Sequence, residues 1–425
     1  MLSLLCMGNA KKQVYASIFL DENELQILVG EYYNTRFNII NSYNAKIEGI
    51  KDFAIVDKDK VVEQIRKGID DVSSKVGARV KKVILVLPPI DFKRVPIRVS
   101  VKPTNGLINK DDVARAISSS YNSSVGINNI IVNSTITKYY FNGVPSRRLP
   151  EKEYCTELLI DIDLLCANRD LCYSYVSTVS EAGLEVLDIT LNNFAICKEA
   201  VLFEQSLVSN VILLDIGNVH TYISLISKGK LAHAEIISDG MDTVYNFVKN
   251  CYDMPDDNLD RLIKYNSLNS EFPNDSIFAW NDRNGVNQSI TSGELAKAIN
   301  GPILSFADKV ITMCKPIMKN GNTSFFVVGE GSKTLALIET LKNLSGCDVK
   351  SYYPDTIGVR DAKMCAIYGS FFSYREKVLL NNLDVNCVDV VEYEETVNKK
   401  EMNNEGETIT TKILKMFEMY RDEEE

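Results

Sequence analysis

Apolar and polar positions alternate from the start of the chain. "VYASIFLDENELQILVGEYYN" reads as two apolar strands flanking Asp21, Glu22, Asn23 and Glu24, a polar cluster suited to a hairpin turn. Val61, Val62, Ile65, Ile69, Val72 and Val76 then recur at helical spacing, and Gly77 is placed to end that helix. "VKKVILVLP" is predicted to be a buried strand. "NKDDVARAISSSYN" is predicted to be a short helix with Asp111 and Asp112 at its positive end. The pattern restarts with a strand at "CTELLIDIDLL", a helix over "ANRDLCYSYVSTVSEAGLEV", a strand at "LEVLDITLN" and a helix over "NNFAICKEAVLFEQ".

A second hairpin is predicted at 212–226, "ILLDIGNVHTYISLI", followed by the strand "KLAHAEIIS". "MDTVYNFVKNCY" and "MPDDNLDRLIKYNSL" read as helices, the latter opened by Pro255. A long helix covers "SGELAKAINGPILSFADKVITMCKPIMK", with Pro302 expected to kink it. "SFFVVGEGSKTLALIETLKNL" is strand, glycine turn and helix, and "VRDAKMCAIYGSFFSY" is an apolar helix. Each half thus opens with a hairpin, at 14–31 and 211–226, which predicts a duplicated α/β domain carrying insertions. Residues 51–155 read as a small α+β unit of their own. From about 386 the chain turns polar and reads as a linker. In the closing stretch Ile413, Phe417 and Tyr420 share one helical face with Leu414 and Met416 beside them, an amphipathic pattern.

Composition narrows the function classes. The 425 residues are 45% hydrophobic and 24% charged, as in an ordinary globular protein. A net charge of −10 leaves no basic field for nucleic acid. The ten cysteines form no CxxC pair, so neither a zinc pattern nor a disulfide framework is present, and a reducing cytoplasm is expected. With two histidines, His220 and His233, histidine-based catalysis is not expected. No run approaches the roughly 18 apolar residues of a membrane span. Met7 offers an alternative start that would make the first six residues dispensable.

Two segments carry candidate chemistry. In Asp215-Ile216-Gly217-Asn218-Val219-His220-Thr221, a glycine lets backbone N–H groups approach phosphate, and an Asp at a strand end can hold Mg²⁺ through water. Val219 and His220 crowd that approach, and an ordinary hairpin gives the same pattern. In "VVGEGSKTLALIETL", Gly329 and Gly331 could let an adenosine lie against the backbone, or could make a common strand-to-helix turn.

The order of these segments resembles the FtsA family of actin-like cell division proteins over roughly residues 14 to 380. "AGLEVLDITLNNFAICKEAV" before "VILLDIGNVHTYISLI" is similar to the approach to the second phosphate loop of that family. "ISDGMDTVYNFVKNCYDMPDDNLDRLIKYNSL", "ITSGELAKAINGPI" and "FFVVGEGSKTLALIETL" resemble its later motifs. The resemblance implies an actin-like (ribonuclease H-like) α/β fold of duplicated domains with an inserted α+β 1C-type (SHS2) subdomain. On that template 1–50 and 156–208 form domain 1A, and 51–155 forms 1C. Domain 2A is 209–240 with 315–385, 2B is 241–314, 386–408 is a linker and 409–425 an amphipathic helix.

The family pattern also marks departures. The first hairpin has Phe19 near the expected Asp and no glycine, and Asp21, Glu22 and Glu24 would repel phosphate. Asn218, Val219, His220 and Tyr222 replace family residues in the second loop. Nucleotide contacts implied for this chain are Asp215, Gly217, Asn218, Gly329, Gly331, Asp260 and Lys264, with Asp215 linked to Mg²⁺ through water. ATP and Mg²⁺ are expected to be bound weakly or not at all, and the chain is not expected to be an efficient enzyme.

Implied partners are the C-terminal tail of the tubulin-like protein FtsZ, through about 241–310, other copies of the chain, and division proteins reached through the 1C-type unit. The membrane surface would be met by Ile413, Leu414, Met416, Phe417 and Tyr420, placing the protein on the inner face of the cell membrane at the division site. The acidic end of that helix leaves partner docking open. The basic stretch "RVKKVILVLPPIDFKRVPIRV" reads as a guarded strand edge. Alternatives are a pilus-assembly protein similar to PilM and an active ATPase or small-molecule kinase of the same fold.

Overall fold

The computed structural model describes residues 12–259, 277–282, 284–319, 321–383 and 385–405. The chain opens with β1 (Gln13–Leu20), β2 (Glu24–Tyr33) and β3 (Arg36–Lys46), an antiparallel meander. A small hairpin of β4 (Ile50–Lys51) and β5 (Ala54–Ile55) leads into α1 (Lys58–Val76). The Asp57 side chain accepts the Lys60 N–H to cap α1, and Gly77 ends it in the left-handed conformation at φ 79°. The buried positions of α1 include all six predicted apolar residues. Then follow β6 (Lys82–Leu87), β7 (Lys93–Val101), α2 (Lys110–Ser120), β8 (Asn129–Phe141), β9 (Val144–Ser146) and β10 (Leu158–Asn168). α3 (Arg169–Glu181), β11 (Glu185–Leu191), α4 (Asn192–Glu199) and α5 (Leu202–Gln205) complete the first half.

The second half repeats this plan with β12 (Asn210–Ile216), β13 (Thr221–Ser227), β14 (Lys230–Ile237), α6 (Asp242–Tyr252), β15 (Ile277–Asn281), β16 (Asn287–Thr291) and α7 (Ser292–Met318). β17 (Thr323–Gly329), α8 (Leu335–Ser345), β18 (Asp348–Ser351), α9 (Cys365–Asn381) and α10 (Val390–Glu405) follow. α7 carries Pro302 and Pro316 inside one continuous helical element.

The two main sheets share one topology. The first has the order β11-β6-β1-β2-β3, and the second β18-β17-β12-β13-β14. In each, three antiparallel strands are continued by two parallel ones. β6 is apolar throughout its last five residues, all fully buried, as a central parallel strand covered on both faces must be. α9 packs on β1, β6 and α4, and α4 reaches the second half through Asn192 on Asp215 and Asn193 on Ser224.

Both expected boundaries of the inserted unit differ from the strand pairing. α1 and β6 were assigned to the inserted unit 51–155, yet β6 pairs with β1 and β11, and α1 packs against β2 and β3. The inserted sheet instead has the order β7-β10-β8-β9, with α2 against it and its own core of Ile108, Val113, Ala116, Ile160 and Leu164. β10, expected in the first main domain, is therefore the centre of the inserted sheet, because its register runs antiparallel to both β7 and β8. β7 is an edge strand, as its Lys and Arg residues predict, and Arg98 and Arg94 pair across to Asp161 and Asp163.

The expected linker is also structured over much of its length. The Cys387 N–H donates to the Val14 carbonyl at 2.9 Å, and the Lys81 and Lys82 N–H groups donate to the Cys387 carbonyl. Val385, Cys387 and Val388 are buried in the core of the first half, and so is Tyr393 in the first turn of α10. The polar run from 394 onward dominates the composition of this stretch and concealed its short apolar start, which both packs and bonds into the first half. The predicted anchor residues Ile413, Leu414, Met416, Phe417 and Tyr420 lie outside the described residues, as do Asp260 and Lys264.

Candidate functional site

The ends of β1, β12 and β17 meet where the two halves face each other. Asp215 lies in β12 opposite Tyr222, and its Oδ2 accepts from the Asn192 amide at 3.3 Å. Gly329 ends β17 at φ 77°, ψ −166°, a backbone region reserved for glycine. A Cβ there would stand 2.6 Å from the Ile216 carbonyl and 2.8 Å from Asp215 Oδ1. A Cβ on Gly331 would meet the Ile216 side chain at 2.5 Å. Asp215, Gly329 and Gly331 thus crowd around Ile216, with Gly217 and Asn218 next in the chain after β12.

Their hydrogen-bonding capacity is turned inward. Gly217 N–H donates to the His220 carbonyl at 2.9 Å. The Gly217 and Asn218 carbonyls accept from the Met241 and Asp242 N–H groups at the start of α6, at 3.0 and 2.9 Å. On the facing hairpin, Asp21 N–H donates to the Glu24 carbonyl at 2.9 Å and Glu22 N–H to Asp21 Oδ1 at 2.8 Å. The N–H groups of Asp21, Glu22 and Gly217 are therefore all engaged within their own turns. A bound polyphosphate needs such donors free, and the first turn offers carboxylates instead.

These carboxylates reach across to the other half. Asp21 Oδ1 accepts from the Tyr222 hydroxyl at 3.2 Å, and Glu22 pairs with His220 Nε2. Glu24 lies 3.9 Å from Lys363 Nζ, which pairs with Glu330 at 3.0 Å. Lys333 joins Glu330 to Asp361. Phe53, in the β4–β5 turn, lays its ring on the His220 imidazole at 4.3 Å between centroids. Its φ of 63° is unusual for a bulky residue, and the Tyr175 hydroxyl holds its carbonyl at 3.1 Å. His220 is 4% exposed, and neither its Nδ1 nor the Asn218 Oδ1 has a hydrogen-bond partner.

Acidic groups packed this closely resist ionisation. Burial pushes Asp215 up to about 7, with the charges of Asp21 and Glu24 adding to it. Burial also raises Asp21, against the pull of the Glu22 N–H, His220 and Tyr222. Lys363 stays above its ordinary value because Glu24 and Glu330 outweigh its burial. Among the described residues no group of three or more His, Cys, Asp or Glu side chains is placed to hold a metal ion. Sequence reasoning missed Phe53, Lys363 and the bridging roles of His220 and Tyr222. Only pairing between residues remote in the chain reveals them.

No family model matches the chain. FtsA of Bacillus subtilis (strain 168) is 25% identical over 356 residues, covering 82% of this chain and 80% of that protein. FtsA of Enterococcus hirae is 22% identical over 362 residues, covering 83% and 81%. FtsA of Streptococcus pneumoniae serotype 2 is 21% identical over 357 residues, covering 83% and 78%. This chain is a divergent FtsA-like protein.

Solved structures agree on the fold of the FtsA-like chain. The PilM-PilN type IV pilus biogenesis complex matches with a TM-score of 0.56 at 11% identity, covering 85% of this chain and 98% of the other. MreB5 of Spiroplasma citri bound to AMPPNP matches with a TM-score of 0.50 at 13% identity, covering 87% and 99%. The fold is actin-like, with two related α/β halves and an inserted sheet. None of the described helices is long and apolar enough to cross a membrane.

Proposed function

We propose that this FtsA-like chain is a cell division scaffold that polymerises and ties FtsZ filaments to the inner face of the cytoplasmic membrane. The observation that carries this reading is the similarity to FtsA proteins across both halves and the inserted unit. The FtsZ tail would bind the region of about 241–310, within a 2B-type domain at 241–314. Domain 2A would comprise 209–240 with 315–385. The inserted sheet would serve as the 1C-type unit, meeting neighbouring copies and other division proteins. Residues 409–425 would lie on the membrane through Ile413, Leu414, Met416, Phe417 and Tyr420.

Nucleotide is the weakened part of this function. Asp215, Gly217, Asn218, Gly329 and Gly331, with Asp260 and Lys264, are what remains of a site for ATP and Mg²⁺. The inward-bonded amides and the acidic first turn support weak binding and inefficient hydrolysis. A PilM-like role in pilus assembly shares the fold, but the sequence relatives favour division.

Co-sedimentation with liposomes tests the reading. The full chain should pellet with liposomes and carry the cognate FtsZ with it, and a chain lacking 409–425 should do neither. Omitting Mg-ATP should leave both results unchanged. Pelleting without 409–425, or no recruitment of FtsZ, would overturn the scaffold role.

A further inference from the structure

We propose that the acidic turn between β1 and β2 is a clasp between the two halves, so that the chain sets their relative pose without nucleotide. This deepens the reading above and rests on its weakened nucleotide binding.

Every carboxylate of the turn has a separate partner beyond its own hairpin. Asp21 takes the Tyr222 hydroxyl, Glu22 takes the His220 imidazole, and Glu24 faces Lys363, which in turn holds Glu330 beside β17. These side chains are sequestered: His220 is 4% exposed, Tyr222 3%, and the Glu22 side chain 15%. Charged groups at an ordinary hairpin tip stay in water, because withdrawing them costs free energy unless they are paired. Here the pairing lies between hairpins separated by 198 positions in the chain.

Phe53 closes the same gap from a third direction. A bulky residue at positive φ persists only where its surroundings over-determine it. The surroundings here are the His220 ring on one side and the Tyr175 hydroxyl on its carbonyl. In a nucleotide-gripping actin-like protein, a ligand between the hairpins would couple the halves. In this chain the facing side chains supply that coupling themselves. The clasp also accounts for a turn that has three carboxylates and no glycine, a composition that would only hinder phosphate.

Hydrogen–deuterium exchange on the full chain tests the clasp. Glu22→Gln combined with Lys363→Met should speed exchange of the 217–222 amides by about tenfold, with 21–25 following in step and β6 and β17 unchanged. Tyr222→Phe, which removes one hydroxyl and keeps the packing, should give a smaller rise on both hairpins. Faster exchange confined to the mutated hairpin, or no change on either, overturns the clasp. Addition of Mg-ATP to the unmodified chain reads the other proposal separately. Protection of both hairpins by Mg-ATP would refute weakened nucleotide binding, while the clasp is judged by the variants alone.

Discussion

Phe19 occupies in the first hairpin the place that Asp215 occupies in the second. Phe19 pairs with Gln26 and Asp215 with Tyr222, each one pair in from the last pair of the ladder, and each turn closes on an equivalent N–H to carbonyl bond. One half thus keeps a carboxylate where the other has packed an aromatic ring at 7% exposure. Phe19→Asp should cost roughly 3–5 kcal/mol of unfolding free energy, through lost packing and an unpaired buried charge. Phe19→Leu should cost less than about 1.5 kcal/mol. Urea unfolding of both variants checks the ranking.

Asp215 predicts a pH dependence of stability. Its folded value of about 7 lies above the ordinary 3.8, so the folded state holds the proton more tightly than the unfolded state. Its contribution is complete below about pH 4 and is lost as pH rises through about 7. Asp215→Asn should remove that loss, leaving the variant roughly 1–3 kcal/mol better placed relative to the parent at pH 8 than at pH 4. Glu199 is also raised to about 7 by burial, so the difference between the two proteins is the quantity to follow. Unfolding midpoints across pH 4 to 8 measure it.

Gly329→Ala should destabilise the chain by roughly 2–4 kcal/mol. The new methyl group would meet the Ile216 carbonyl in a conformation that a side chain already disfavours. Thermal unfolding should record a drop of several degrees, and a neutral result would contradict the close approach of β17 to β12.

Tyr393 tests whether the segment after α9 belongs to the core. Its hydroxyl donates to Glu31 Oε2 at 2.8 Å, and its ring is buried against the first half. Tyr393→Phe should cost about 1–2 kcal/mol and Tyr393→Ala about 3 kcal/mol or more. A freely moving linker would tolerate both in denaturant unfolding.

Much of the fold was legible because it rests on local periodicity. The two hairpins, the apolar stripe of α1 with its Gly77 cap, and the glycine turn after β17 each announce themselves within a few residues. Sheet membership was not legible in the same way. β6 and β10 both read as buried strands, but nothing inside either says whether its neighbour is β1 or β8. The candidate site divided along the same line. Asp215 and the glycines are marked by their own segments, whereas the bond from Glu22 to His220 depends on how two distant hairpins meet. The 385–393 segment escaped because its short apolar run is followed by a long polar one, and its place is fixed by core packing and backbone bonds to the distant Val14, Lys81 and Lys82.

That backbone attachment has a mechanical consequence. Tension applied beyond residue 405 would reach the body of the protein through Cys387, whose N–H and carbonyl are tied to Val14 and to Lys81 and Lys82. The salt bridge from Lys81 to Asp389 and the hydroxyl of Thr396 on the Gly77 carbonyl share the strain. The load enters β1, β6 and the end of α1, all in the first half. β12, β17 and the contacts between the hairpins stand off the load path, so a pull on the tail would be borne by one sheet.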